Sequence, residues 1–183
     1  AFPAFAQGGK ESTSPKIGFI GPMTGDNANY GVLSNNSAIL AVEQFNAKGG
    51  IDGKIPVVLV TEDSEGVPEK GLSAIEKLAS SDKIVGLIGP IFTGVSFAVG
   101  ERVQNEGILM ISPSATHADI TNIGDYVFRT VVSDGLQGEV AGTYFAQVLG
   151  YKNIGVLYAK NDYSQGLYEG MSASFTANGG KIT

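Results

Sequence analysis

Short apolar runs alternate along this chain with longer stretches of helical periodicity, and that alternation constrains the fold more than any other feature. The runs fall at 16–21 (KIGFIG), 56–61 (PVVLVT), 84–89 (IVGLIG), 108–112 (ILMIS), 126–131 (YVFRTV) and 154–159 (IGVLYA). They are nearly continuous in apolar residues, which is the pattern of parallel strands covered on both faces. Helical spacing fills the intervals at 31–48, 68–81, 94–106, 135–149 and 164–178. Over 31–48, Leu33, Ser37, Leu40, Ala41 and Phe45 fall near one face, Ile39 and Val42 widen it, and Gly49-Gly50 supplies a left-handed stop. Over 68–81, Pro68 suits a first helical turn and Leu72, Ile75, Leu78 and Ala79 make the apolar stripe. Asn178-Gly179-Gly180 ends the last helix, and Lys181-Ile182-Thr183 begins another strand. Strand, helix, strand, helix predicts a doubly wound parallel α/β sheet. Hydrophobic residues at 43% against 16% charged are enough to build its core.

The stretch 117–125 (HADITNIGD) breaks the periodicity and is the expected connection between two lobes. The expected division is a first α/β lobe over 16–121, then a crossing and the start of a second, similar lobe over 122–183. On this reading the run at 126–131 is free to begin a second sheet. The lead 1–15 contains Ala4-Phe5-Ala6 before Gln7, the small-x-small pattern of an export-signal cleavage site, which points to an extracytoplasmic protein.

Parallel α/β sheets bind ligands beyond the carboxyl ends of their strands. Three loops leave those ends here: Gly21-Pro22-Met23-Thr24-Gly25, Gly89-Pro90-Ile91-Phe92-Thr93-Gly94 and Ser112-Pro113-Ser114-Ala115-Thr116. All three should share one edge. Hydroxyls beside helix N-termini suit a small anion, because free N–H groups point outward and the helix dipole favours negative charge. Thr93 and Thr116 are the candidates. Ordinary N-capping explains any one such hydroxyl; three loops converging on one edge favour a site. Tyr30 and Tyr163 each follow a strand end, where a tyrosine can close over a small ligand or simply pack.

Several chemistries are absent from the sequence. A formal charge of −6 argues against nucleic acid, whose phosphates require Lys and Arg. There is no cysteine and a single histidine, His117. A nucleophilic serine needs a base, and no G-x-S-x-G elbow surrounds Ser112 or Ser114. Glycines at 18, 21 and 25 do not form a dinucleotide fingerprint, and there is no P-loop. Glu62, Asp63 and Glu65 lack the spacing of a calcium loop and read as a solvated turn. A lone loop histidine reads as a solvated surface residue. Neither an enzyme nor a cofactor is expected.

The stretches KIGFIGPMTGDNANYG, AVEQFNAKGGIDGK, IVGLIGP, EGILMISPSATHADIT, YVFRTVVSD and IGVLYAKNDYSQGL, in that order, resemble the type I periplasmic-binding-protein family. Within it they are most similar to the leucine/isoleucine/valine-binding branch that serves amino-acid ABC transporters. The resemblance implies two α/β lobes with a hinge and a ligand cleft between them. It implies that Thr93 binds the ligand carboxylate, that Ser114, Ala115 and Thr116 line its α-carbon end with Thr116 touching both charged groups, that Tyr30 is a first-lobe aromatic contact, and that Tyr163 closes from the second lobe. It implies a small amino-acid ligand, branched-chain by default, and a membrane permease as partner. A first-lobe disulfide of the family would fall near Glu65 and Phe92 and is absent. Family members are longer, so the chain is expected to hold only the start of the second lobe, without the acidic residue that meets the ligand ammonium. An unfinished sheet edge would then invite self-association. The alternatives are a sensor domain on the same fold and a fragment without binding activity. Regulators of this architecture carry a helix-turn-helix ahead of the first lobe, and AFPAFAQGG does not resemble one.

Overall fold

The computed structural model describes residues 14–183; the expected export-signal remnant lies almost wholly outside them. β1 (Lys16–Gly21) sits between β2 (Val58–Asp63) and β3 (Gly86–Ile88), and the sheet continues through β4 (Leu109–Ser112) to β5 (Val127–Arg129). All of its pairings are parallel. Successive residues of a strand point to opposite faces. Ile20, Leu87, Met110 and Val127 therefore meet one layer, formed by α2 (Pro68–Lys77) and α3 (Thr93–Glu106) through Ile75, Leu78, Val95, Val99 and Val103. Phe19 points the other way, to Ala38 on α1 (Ala28–Ala47). This is the doubly wound parallel sheet that the alternation predicts.

The buried face of α1 differs from the expected one. Leu33 is 66% exposed and Leu40 54%, whereas Gly31, Asn35 and Ala38 are buried. The reason is distance. α1 lies so close to the first loop that a Cβ on Gly31 would stand 2.1 Å from the Pro22 carbonyl oxygen. Only a small stripe fits there, and Asn35 repays its burial by accepting the Thr61 hydroxyl at 2.8 Å.

β2 begins two residues later than the apolar run. Pro56 has no N–H to give a ladder, and the backbone of Val57 is taken on both sides by the Asn46 side chain at 2.8 Å. The run at 126–131 does not open a second sheet. It supplies β5, with Val127 beside Met110. The segment 117–125, expected to connect lobes, forms a short 3₁₀ turn over Ala118–Asn122 whose Ile120 is fully buried in the first core.

A second, smaller unit follows. α4 (Asp134–Thr143) and α5 (Asp162–Ala177) pack together, and β6 (Asn153–Ile154) pairs in parallel with β7 (Lys181–Ile182). The strand expected over 154–159 is reduced to β6. Both α2 and α4 end in a wider π-type turn, over Leu78–Asp82 and Tyr144–Val148, where continuous α-helix is expected. Gly138 brings α4 onto α5, since a Cβ there would lie 2.4 Å from the Met171 nitrogen. Ala146, Met171 and Phe175 are the buried residues of this second core.

Candidate functional site

Side chains that hold backbone fix the three loops in place. The Ser112 hydroxyl donates to the Pro90 carbonyl at 2.6 Å and accepts the Ala115 N–H at 3.0 Å. It thereby ties the loop after β3 to the loop after β4. Ser96, one turn into α3, donates to the carbonyl of Phe92 at 3.0 Å. The loop after β1 is held by Asp63, which accepts the Met23 and Glu65 N–H groups at 2.7 Å each and the Thr24 hydroxyl. Burial raises the pKa of Asp63, but the hydrogen bonds from Thr24 and from the Glu65, Met23 and Thr24 backbones outweigh it. Its carboxyl lies below the ordinary value. The acidic turn that reads as merely solvated is therefore a staple.

The loops after β3 and β4, with the starts of α1 and α5, line a cleft of about 620 Å³, within the usual range for small-molecule sites (roughly 300–1,000 Å³). Tyr30, Thr93, Ser114, Thr116 and Tyr163 all line it. Thr93 is 3% exposed and is the first residue of α3 rather than its cap. The cap position is Phe92, and no side chain caps the helix. The first-turn N–H groups of a helix have no partners within it. Those of Thr93, Gly94 and Val95 therefore belong to residues at the cleft wall. The Thr116 hydroxyl is buried and has no hydrogen-bond partner among the described residues. Tyr30, early in α1, meets the Phe92 ring edge-on at 5.9 Å. Tyr163, in the first turn of α5, faces the cleft from the second unit and is 47% exposed.

Ala115 is the exception. It is 1% exposed and packs into the first core, with its N–H already given to Ser112. Its side chain does not line the cleft. His117 is not a solvated surface residue either. Its ring meets Phe97 edge-on at 5.1 Å, and its Nδ1 accepts the Asp119 N–H at 3.2 Å.

Phe92, from the loop after β3, also lines the cleft, as do Gln137, Asn161 and Asp162, which escape a reading by strand ends. Asn161 caps α5 by accepting the Ser164 N–H at 2.9 Å. The signal for this group was present: Asn161-Asp162 is a helix-start pair immediately before Tyr163. The lining contains one carboxylate, Asp162, and no Lys or Arg. An anion bound here would be met by N–H groups and hydroxyls rather than by a formal charge, the arrangement that helix N-termini provide.

Behind Thr116 lies Asp134, 1% exposed, with neither carboxylate oxygen hydrogen-bonded among the described residues. Burial pushes its pKa above the ordinary value. The Thr116 hydroxyl and the charges of His117 and Arg129 pull it back only in part. No feature of the linear sequence singles this residue out, because Thr116 and His117 reach it from the loop after β4 and Arg129 from β5.

The periplasmic binding protein family matches this chain over residues 14–183. The Leu/Ile/Val-binding protein BraC3 of Rhizobium johnstonii is 38% identical over 164 residues, covering 89% of this chain and 44% of its own length. The branched-chain amino acid transporter substrate-binding protein LivJ of Streptococcus pneumoniae, solved with isoleucine, superposes with a TM-score of 0.82 at 30% identity over 93% of this chain and 48% of that one. A solute-binding protein of an R. palustris ABC transporter, solved with benzoate, gives a TM-score of 0.82 at 28% identity, with 93% and 47% coverage. The chain spans about half the length of these relatives. Its parallel sheet, its second small sheet and the match along nearly its whole length agree: this chain belongs to the periplasmic binding protein family.

Proposed function

We propose that this chain forms the cleft of an extracytoplasmic solute-binding protein of an ABC transporter, and that the solute is an amino acid, branched-chain by default. The observation that carries this reading is the uncapped start of α3 beside Thr93, with Ser114 and Thr116 on the next loop and Tyr163 opposite. A carboxylate fits the N–H groups and hydroxyls, and the aliphatic side chain fits the Tyr30 and Phe92 wall. The relatives that bind leucine, isoleucine and valine by name support the same solute class. The protein is a binder and not an enzyme, needs no cofactor, and docks on a membrane permease after its lobes close. The first lobe, 16–121 together with β5, supplies the carboxylate site; the part of 122–183 beyond β5 makes the crossing and starts the closing lobe. The two-stranded sheet of β6 and β7 offers unpaired edges for self-association, which sedimentation checks: a monomer at every concentration refutes that part.

A second reading has its own support. The edge-to-face pair of Tyr30 and Phe92 suits a flat ring, and one relative holds benzoate. Both readings share the carboxylate site. Titration calorimetry with leucine, isoleucine, valine and benzoate separates them. Thr93→Ala removes one hydrogen bond to a charged group and should weaken the bound solute by about 10- to 100-fold. An unchanged affinity would refute the carboxylate site; tighter binding of benzoate than of any amino acid would select the second reading.

A further inference from the structure

Gly66, in the turn between β2 and α2, lines the cleft without a side chain of its own. Glu65 and Gly66 both stand at positive φ, 49° and 76°, and the Val67 N–H closes the turn on the Ser64 carbonyl at 2.8 Å. Positive φ at both central residues is the type I′ pattern, which Gly and Asn adopt readily. The turn is fastened at its base. Asp63 accepts the Glu65 N–H at 2.7 Å, and Ser64, 1% exposed, donates its N–H to the Gly21 carbonyl at 2.9 Å. Phe92 leans on this turn. A Cβ at Gly66 would stand 3.0 and 3.1 Å from two carbons of the Phe92 ring, and the next nearest atom, Pro22 Cβ, would be 3.9 Å away. The ring therefore takes up the space of the missing side chain. Tyr30 meets the same ring edge-on. The backbone of Phe92 is held as firmly, because its carbonyl accepts the N–H and the hydroxyl of Ser96 at 2.9 and 3.0 Å.

With turn and backbone both held, the ring's own torsion angles are the one freedom left to Phe92. It has no room to retreat inward, because it packs against both apolar clusters of the first unit, and such cores are close-packed. A side chain at position 66 would therefore drive the ring forward, into the cleft that both residues line. We infer that Gly66 is a positioning residue that sets, through Phe92, how bulky a solute side chain the cleft accepts. The inference rests on the amino-acid reading given above and deepens it. Thr93, the residue after Phe92, holds the carboxylate on that reading, so the ring stands where the side chain of the same solute arrives. One methylene more or less of room in an apolar pocket changes discrimination by about 10- to 200-fold. A ring displaced by a new side chain removes at least that much room.

The test is titration calorimetry with leucine and alanine, which share both charged groups and differ in side-chain bulk. It is run on the 183-residue chain and on a form carried to the length of its relatives. Gly66→Asn keeps a residue that accepts positive φ and fills the space against the ring. It should lower the leucine-to-alanine affinity ratio by about tenfold or more. In a Phe92→Ala background the same substitution should move that ratio by less than about threefold, because the ring that transmits it is gone. An unchanged ratio, which includes an equal loss of both ligands, overturns the role of Gly66 and leaves the amino-acid reading standing. An equal shift of the ratio in both backgrounds overturns it too, since Phe92 is then not the intermediary. A wild type that binds neither ligand overturns the amino-acid reading instead. In that case, and if Gly66→Asn fails to fold, proton NMR of the ligand-free protein decides: Phe92→Leu should remove the aromatic ring-current shift from the Gly66 α-protons, and unmoved resonances overturn the contact.

Discussion

Asp63 and Asp134 show how differently two carboxylates can be used within one fold. Asp63 gathers donors from the first loop and its carboxyl lies below the ordinary value. A group whose folded pKa is depressed contributes stability above its unfolded pKa and loses it as pH falls through the folded value. Asp63→Asn should therefore destabilise the chain at neutral pH by about 1 kcal/mol, the low end for hydrogen bonds to a charged group because the site is partly open to solvent. Urea melts at neutral and strongly acidic pH check it, and the gap between wild type and variant should close in acid. Asp134 has the opposite sign. Its folded pKa is raised by burial, so its contribution is best in acid and worsens as pH rises through the folded value. Asp134→Asn should then stabilise the chain at neutral pH, by about 1–3 kcal/mol if the unpartnered charge is the dominant cost. A variant less stable than wild type at neutral pH would mean that the carboxylate is satisfied in solution.

Elements were more legible in the sequence than the faces they bury. Every α-helix interval came from spacing, and the loops at the carboxyl ends of β3 and β4 do meet at one cleft, whereas the loop after β1 does not line it and only the start of α1 beyond it does. What spacing could not give was depth. Apolar periodicity puts Leu33 and Leu40 of α1 inward; the close approach at Gly31 puts them outward, because helix–sheet distance rather than hydrophobicity selects the residues between. The same limit hid the roles of Ala115 and Asp134. Ala115 sits among cleft residues in sequence but is turned into the core by the hydrogen bond to Ser112. Asp134 stands beside Thr116 only through tertiary contact. The α4–α5 pair gives a prediction on this scale. Gly138→Ala inserts a methyl where the Met171 nitrogen stands 2.4 Å away, against backbone that cannot yield. Overpacking of this kind costs about 1–3 kcal/mol. Thermal melting checks it, and because Gly138 does not itself line the cleft the proposed carboxylate site should survive in any variant that folds.

At the scale of the molecule, the two units are unequal in what holds them. The first packs one face of β1, β3 and β4 against α2 and α3, with Ile20, Leu87 and Met110 at 2% exposure or less. The second is held by Ala146, Met171 and Phe175 around a sheet of two short strands. Local opening follows buried apolar contact, and regions with little of it exchange their amides first. Amide hydrogen exchange should therefore show β6, β7 and the carboxyl end of α5 opening well before β1, β3 and β4. Uniform protection would mean that the small core is carried by the large one through the α3–α5 contact. The ordering also bears on the cleft. The proposed carboxylate end, at Thr93 and Thr116, is built on the well-buried unit, while Tyr163 comes from the looser one. A ligand bridging both should raise protection in α5 more than in α3, because only α5 has low stability to gain. Leucine added during exchange tests this directly: selective slowing of α5 fits closure of the second unit over a site already formed on the first, and equal slowing of both would mean that the site itself forms only when ligand binds.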